Sequence, residues 1–405
     1  MTTAAADRSW RLPLVFQSAI LQAAWVGARL MIGYRALDLG AGAFGLGLVA
    51  ASFAVPALLS ALPAGRLADR VGGIRLVVAG IAVQVVSIVA ASATAALPWL
   101  LAASAVIGFG QILTVVGQQS FVAERAERNA TDSAFGFLTS AISVGQVIGP
   151  LVATTIATAG LRSTADPDTT LALLAAAAMV LLALPACWAL TRSPVTERLS
   201  VNKGDRRAGT MALVRTRGLW RALIVSGIVL ASLDMLYAFL PAWAAENGVG
   251  VTTVGWLLAL RAAVTVVSRV GLGRMVGKLG RRILLMISLV LASAALCVLP
   301  FVGAVGAIVV MVGLGVGLGL PQPLTMAWVV ARADPAVRGA ALGLRLTSNR
   351  ALQITVPIAV GAAAGPIGTD AIFWTSSVLL IGAIAAVASA GKSLDNETPP
   401  AAATD

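Results

Sequence analysis

Four charged side chains lie deep inside long apolar stretches of the sequence: Arg29, Asp234, Arg261 and Arg350. A charge removed from water is costly unless it is paired or neutralised, so such residues call for a functional explanation. An arginine binds an anion through two parallel hydrogen bonds, whereas a carboxyl group can gain and lose a proton. The chain has no histidine. Asp234 is therefore the group best suited to exchange a proton.

Polar side chains on the same predicted helix faces accompany these charges. Gln22 shares a face with Arg29, and Tyr237 shares a face with Asp234. Asn349 and Gln353 cluster with Arg350 and fall on one stripe with Arg345. Because three arginines face one aspartate, we expect this group to favour an anionic or carboxylate-bearing ligand. Asp234 is expected either to carry a proton or to form a fixed ion pair with Arg29 or Arg261.

The stretches that hold these residues are long enough to cross a bilayer. Of the 405 residues, 59% are hydrophobic and 11% are charged, a composition that could not cover the surface of a soluble protein. An apolar window of about 19 residues finds twelve stretches. They are 12–34, 43–63, 75–96, 98–121, 134–159, 169–190, 219–244, 253–272, 283–301, 304–331, 341–363 and 371–390. Since backbone groups in hydrocarbon must be paired, we predict an all-α membrane protein of twelve transmembrane helices.

The distribution of basic residues predicts the orientation. Almost all Lys and Arg residues outside the stretches fall on the side that holds both termini, and the other side holds only Arg35 and Arg162. By the positive-inside rule both termini are cytoplasmic, and we expect a multi-pass protein of the bacterial inner membrane. This bias explains the net charge of +12 without nucleic acid as a partner. We expect a monomer in the lipid bilayer with no cofactor and no metal.

The sequence also contains an internal repeat. GRLADRVGGIR at 65–75 recurs as GRMVGKLGRR at 273–282, and GFLTSAISVGQVIGP at 136–150 aligns with GLRLTSNRALQITVP at 343–357. The two offsets are nearly equal, which predicts two pseudo-symmetric six-helix halves with a substrate site between them. The predicted divisions are a first bundle at 1–190, a cytoplasmic linker at 191–218, a second bundle at 219–390 and a disordered cytoplasmic tail at 391–405.

At this point the chain resembles the major facilitator superfamily. Gly65, Asp69, Arg70 and Gly72 match that family's loop signature, Gly-x-x-x-Asp-Arg-x-Gly. The resemblance implies that Asp69 locks the two halves, by pairing with an arginine such as Arg125 or by meeting the start of the eleventh helix. It also implies that helices one, four, seven and ten line a central cavity. The cavity candidates are then Gln22, Arg29, Gln111, Asp234 and Gln322.

A second signature falls on the fifth stretch. Gly136, Gly145, Gly149 and Pro150 resemble a motif of proton-driven antiporters in that superfamily, although its closing glycine pair is absent. The alternative is ordinary packing of small residues between helices. Drug-exporting relatives carry an arginine on the fourth helix where this chain has Ser104, which argues against a standard drug–proton antiport mechanism.

These features predict a proton-coupled secondary transporter that exports a small organic molecule, a drug or a metabolite, by alternating access. The alternative is a proton symporter that imports an organic anion, which the arginines and Ser104 favour. A membrane enzyme is the least favoured function, because the chain lacks histidine and its loop acids alternate with arginines as on a solvated surface.

Overall fold

The computed structural model describes residues 10–125, 131–159, 167–192, 218–332, 338–364 and 368–389. Within these ranges the helices group into twelve spans that follow the twelve predicted stretches. The first half comprises α1 (Arg11–Asp38), α2a (Ala43–Ser52), α2b (Ala54–Val71), α3 (Gly73–Ser92), α4 (Leu97–Arg125), α5 (Thr131–Thr158), α6a (Thr169–Leu181) and α6b (Leu184–Thr191). The second comprises α7 (Leu219–Glu246), α8a (Val251–Val270), α8b (Leu272–Leu279), α9 (Arg281–Val298), α10a (Ala304–Gly319), α10b (Pro321–Arg332), α11 (Arg338–Ala364) and α12 (Asp370–Ala388). The predicted tail, 391–405, and most of the predicted linker lie outside the described residues.

Prolines account for three of the interruptions that divide a predicted stretch. A proline has no N–H, so the carbonyl four residues before it loses its helical partner and the helix can end there. In three spans the first helix ends four residues before a proline. These helix ends and prolines are Ser52 and Pro56 for α2a, Leu181 and Pro185 for α6a, and Gly319 and Pro323 for α10a. In α10 the freed carbonyl of Gly319 accepts a hydrogen bond from Arg269 Nε at 3.2 Å.

The span formed by α11 differs from the other eleven in composition. Among the described residues, 11 helices or joined helices are long and apolar enough to cross a membrane, and α11 is not one of them. The reason is its polar stripe, which contains Arg345, Asn349 and Gln353 with Arg350 alongside. A helix of this kind is stable in a membrane only where its polar face is turned toward protein.

The internal repeat is visible in backbone geometry. Gly72 joins α2b to α3 with a φ of 91°, and Gly280 joins α8b to α9 with a φ of 78°. Both positions are strained for residues with a Cβ, so glycine is required at each. Pro150 and Pro357 occupy matching places inside α5 and α11. The two six-helix halves therefore share a glycine turn and a helix proline at corresponding places.

The two halves meet tightly on one face. We call the face at which α1 begins the basic face, and the other the opposite face. Near the opposite face the hydroxyls of Thr158 on α5 and Thr252 on α8a are 3.2 Å apart. A Cβ on Gly361 of α11 would lie 2.7 Å from the carbonyl oxygen of Ala43.

Near the basic face the described glycines of the same helices make no such contacts. A Cβ on Gly136 of α5, or on Gly343 of α11, would meet no atom within 4 Å. The neighbouring side chains of Thr139 and Thr347 are exposed. Small residues thus hold α5 and α11 close to the other half near the opposite face, whereas Gly136 and Gly343 make no such close approach among the described residues.

Candidate functional site

An ion pair joins the first helix of one half to the first helix of the other. Arg29 Nη1 on α1 donates to Asp234 Oδ1 on α7 at 2.8 Å, and each side chain is 11% exposed. A charge-assisted hydrogen bond of this length in partly dehydrated surroundings is strong. Of the two partners that the sequence allowed for Asp234, the structure places Arg29 against it.

The second carboxylate oxygen of Asp234 is bound from α11. Gln353 Nε2 donates to Asp234 Oδ2 at 2.6 Å, and Arg350 Nη1 donates to Gln353 Oε1 at 3.0 Å. Gln353 and Asp234 belong to the same half, so this bond orients the carboxylate within that half. Asp234 thus stands between two groups, and only the bond to Arg29 crosses between the halves.

Aromatic rings surround the guanidinium group of Arg29. Its central carbon lies 5.5 Å from the ring centroid of Trp25, 5.2 Å from that of Phe53 and 5.8 Å from that of Tyr237. At these distances the ring faces attract the cation. Phe53 lies at the interruption between α2a and α2b. Sequence analysis missed Phe53, because an aromatic residue in an apolar span carries no distinguishing signal.

The other two deep arginines bind neutral groups. Arg261 Nη2 donates to the hydroxyl of Tyr237 at 3.0 Å, and Arg350 bonds to the amide of Gln353. Arg261 is 3% exposed. Among the described residues neither arginine forms an ion pair with an acidic group. The cluster therefore holds three guanidinium groups and one carboxylate, an imbalance that a bound anion would reduce.

A chain of amides lies in the first half. Gln84 Nε2 on α3 donates to Gln111 Oε1 at 3.1 Å, and Gln111 Nε2 on α4 donates to Gln22 Oε1 on α1 at 3.5 Å. Gln22 and Gln111 were predicted as cavity residues and are brought together here. Gln84 was missed, although it is the one amide in an otherwise apolar stretch, which was a usable signal.

Two predicted site residues are not joined to these groups. Asn349 is 3% exposed, and its Oδ1 has no partner among the described residues. Gln322 takes part only through its main-chain oxygen, which accepts from Arg345 Nη2 at 3.2 Å. Of the ten candidates, the structure therefore brings six into the charged cluster and two into the amide chain.

The loop signature is not engaged as expected. The side chain of Asp69 is exposed and has no hydrogen bond or ion pair within the described part of the chain. Arg125, its expected partner, instead lies 3.9 Å from Glu124 and over the ring of Phe121. Among the described residues Asp69 therefore does not form the expected lock, and the positions Gly136 on α5 and Gly343 on α11 have no close neighbour.

The fifth-helix motif packs α5 against α1. A Cβ on Gly149 would lie 2.5 Å from the carbonyl oxygen of Ala23, and a Cβ on Gly145 would overlap the backbone at Ala19. Both glycines are thus required by close helix packing. Gly136, the first residue of the motif, has no neighbour of this kind. The packing interpretation accounts for two of the three glycines.

Comparison with known proteins agrees with this architecture. Residues 14–245 and 222–403 match the profile of the Major Facilitator Superfamily. No curated protein matches the chain in sequence. Among solved structures, a variant of the nucleoside transporter NupG has a TM-score of 0.79 at 14% identity, covering 95% of this chain and 100% of that one.

Two further structures share the fold. The peptide transporter POT in complex with sulfate has a TM-score of 0.76 at 16% identity and covers 96% of each chain. A bacterial homologue of the human lysosomal transporter Spinster, inward-facing and occupied, has a TM-score of 0.73 at 16% identity, covering 96% of this chain and 98% of that one. Since the family profile spans most of its length, the chain belongs to the Major Facilitator Superfamily of membrane transporters.

Proposed function

We propose that this transporter moves a small organic anion together with a proton, and that the Arg29–Asp234 pair couples the two. The observation that carries the proposal is the bond between Nη1 and Oδ1 at 2.8 Å, because it joins the two halves at the level of the deep charges. A ligand or proton that breaks this bond removes an ion pair between the two halves and so weakens their association.

The charge balance of the cluster favours an anion as substrate. Arg261 and Arg350 have only neutral hydrogen-bond partners, so the described cluster carries excess positive charge. A carboxylate offers each guanidinium two acceptor oxygens, whereas an organic cation would add to the excess. The substrate class is therefore a small molecule with at least one anionic group.

Protonation of Asp234 explains the coupling. When the carboxylate becomes neutral, its attraction for Arg29 is lost, and Arg29 becomes free to bind the substrate anion. A proton on Asp234 frees Arg29 for the anion, and an anion on Arg29 frees Asp234 for the proton. Each ligand therefore favours the binding of the other. Ligands that bind together cross together, so the geometry supports cotransport in one direction.

Orientation turns this coupling into uptake. If the basic face is cytoplasmic, the proton gradient of a bacterial inner membrane drives protons toward that face, and the anion follows. This is the second of the two transport functions predicted from sequence. Export by proton antiport is favoured by one observation, the resemblance of the fifth-helix motif. However, helix packing already accounts for Gly145 and Gly149 without reference to direction.

Transport by the wild-type protein in proteoliposomes tests the proposal. With an inward proton gradient, we expect accumulation of members of a labelled organic-acid panel and no accumulation of lipophilic cations. A protonophore should abolish the accumulation. Proton-driven movement of the cations out of the compartment, without movement of any acid, would establish antiport export instead.

A further inference from the structure

The amide chain of the first half ends in a hydrogen-bond donor. Thr114 Oγ1 donates to the main-chain oxygen of Gln111 at 2.9 Å, so it accepts from Gln84 Nε2 at 3.3 Å. This fixes the orientation of the Gln84 amide, whose Nε2 also donates to Gln111 Oε1. Gln111 is thereby turned so that its own Nε2 donates to Gln22 Oε1. The group left at the end of the chain is Nε2 of Gln22.

This terminal amide group is accessible to a ligand. Gln22 is half-buried, and among the described residues its Nε2 donates to no protein atom. Gln84, at the start of the chain, is 0% exposed and anchors the series. Gln22 shares a face of α1 with Trp25 and Arg29, and Arg29 reaches Asp234 on the other half. The free donor therefore faces the same region as the proposed anion site.

We propose that Gln22 and Gln111 form a second subsite, which binds a hydrogen-bond acceptor at the far end of the transported anion. The inference rests on the proposed function and narrows its substrate class. Gln22 and Arg29 are separated by two turns of α1, a rise of about 10 Å. The substrate is then an elongated organic anion with a second acceptor, a carboxylate or a carbonyl, about that far from the first.

Three carboxylates test the second subsite. Nonanedioate places a second carboxylate at the required distance, nonanoate has the same length with an apolar end, and butanedioate holds its two carboxylates too close together. For the wild-type protein under an inward proton gradient, we expect a KM for nonanedioate about tenfold or more below those for the other two. Gln22→Leu should raise the KM for nonanedioate about tenfold and leave that for nonanoate unchanged.

Two further variants keep the test decisive. Gln119→Leu removes an exposed amide on α4 outside the chain and should change neither KM. Gln22→Glu preserves the shape of the side chain but replaces its donor with acceptor oxygens, so it should weaken nonanedioate uptake even if Gln22→Leu does not fold. A wild-type protein that treats nonanedioate and nonanoate alike, or Gln22 variants that affect both equally, would overturn the second subsite and leave anion transport intact. If none of the three acids is transported or competes, anion transport fails, and the second subsite fails with it.

Discussion

Arg29 on α1 and Asp234 on α7 are linked by a 2.8 Å ion pair that crosses between the two halves of the molecule. The same carboxylate is held by Gln353 from within its own half at 2.6 Å. Asp234 therefore has one bond that is kept when the halves move and one that must be broken. This asymmetry is the basis of the coupling role that we propose for the pair, and it leads to the first prediction.

Substitution of both members of the pair should cost less stability than the sum of the two single substitutions. Arg29→Gln leaves a buried carboxylate without its cation, and Asp234→Asn leaves a buried guanidinium without its anion, each at a cost of about 3–5 kcal/mol. The double variant leaves no unpaired charge in the pair, so its cost should be well below the sum. Thermal unfolding in detergent measures this double-mutant cycle. Purely additive shifts would show that the two charges do not interact.

A disulfide at the opposite face should stop transport. The hydroxyl oxygens of Thr158 and Thr252 are 3.2 Å apart, so cysteines at both positions can bond after a small adjustment. The native cysteines are first removed by Cys187→Ala and Cys297→Ala, and Thr158→Cys and Thr252→Cys are then introduced. Oxidation should link the two halves on that face and block transport of the substrate. Reduction should restore it.

A second cysteine pair serves as the control for this experiment. Gly136→Cys and Gly343→Cys lie near the basic face, where neither glycine has a neighbour within 4 Å. Because α5 packs against α8a and α11 packs against α2a, these two cysteines belong to different contacts and should remain unlinked, so the pair controls for the effect of oxidation itself. If the variant with Thr158→Cys and Thr252→Cys keeps full activity after its disulfide has formed, the halves do not separate on the opposite face.

Asp69→Asn should slow transport without weakening substrate binding. Asp69 is exposed and has no hydrogen bond or ion pair within the described residues, so we propose that its contact with the other half forms in an alternative state, in which the basic face is closed. Loss of that contact destabilises the alternative state and reduces the rate of exchange between the two. Labelled uptake gives the rate, and equilibrium binding gives the affinity. The matched control is Gly277→Asn in the second copy of the loop, which should leave the rate unchanged.

Gly149→Ala should destabilise the fold, whereas Gly136→Ala should not. The added methyl group at Gly149 would lie 2.5 Å from the oxygen of Ala23, so α1 and α5 must move apart, at a cost of about 1–3 kcal/mol. At Gly136 the methyl group meets nothing, and a small gain in helix stability of about 0.5–1 kcal/mol is expected. The melting temperatures of the two variants in detergent decide the matter. Equal effects would mean that the motif is not a packing motif.

The twelve spans were predictable because length and apolarity are physical requirements of a bilayer. The span formed by α11 is the least apolar of the twelve because of its polar stripe, yet its apolar run at 341–363 was still long enough to be predicted. Its alignment with the fifth stretch agrees with that prediction. The interruptions were not predicted, because prolines such as Pro150 and Pro241 sit inside continuous helices while Pro323 follows a break. Only the surrounding packing distinguishes these cases.

The members of the site were largely predictable, and their pairing was not. A charge or an amide in an apolar stretch is conspicuous in sequence, which identified Arg29, Asp234 and Gln353. The choice of Arg29 over Arg261 as the partner of Asp234 depends on how the two halves dock, and no local pattern encodes that. The contact expected for Asp69 is likewise not seen within the described part of the chain, because sequence defines the residues of a lock but not the state in which it closes.

The most direct test of the coupling role of Asp234 is transport by Asp234→Asn in proteoliposomes. The amide resembles the protonated carboxyl group in shape and charge, so Arg29 should remain free to bind the anion and exchange it across the membrane. Because the residue no longer exchanges a proton, a pH gradient should not drive accumulation. We therefore predict that counterflow of a transported organic acid is retained and that its pH-driven accumulation is lost. Undiminished pH-driven accumulation by Asp234→Asn would contradict the account.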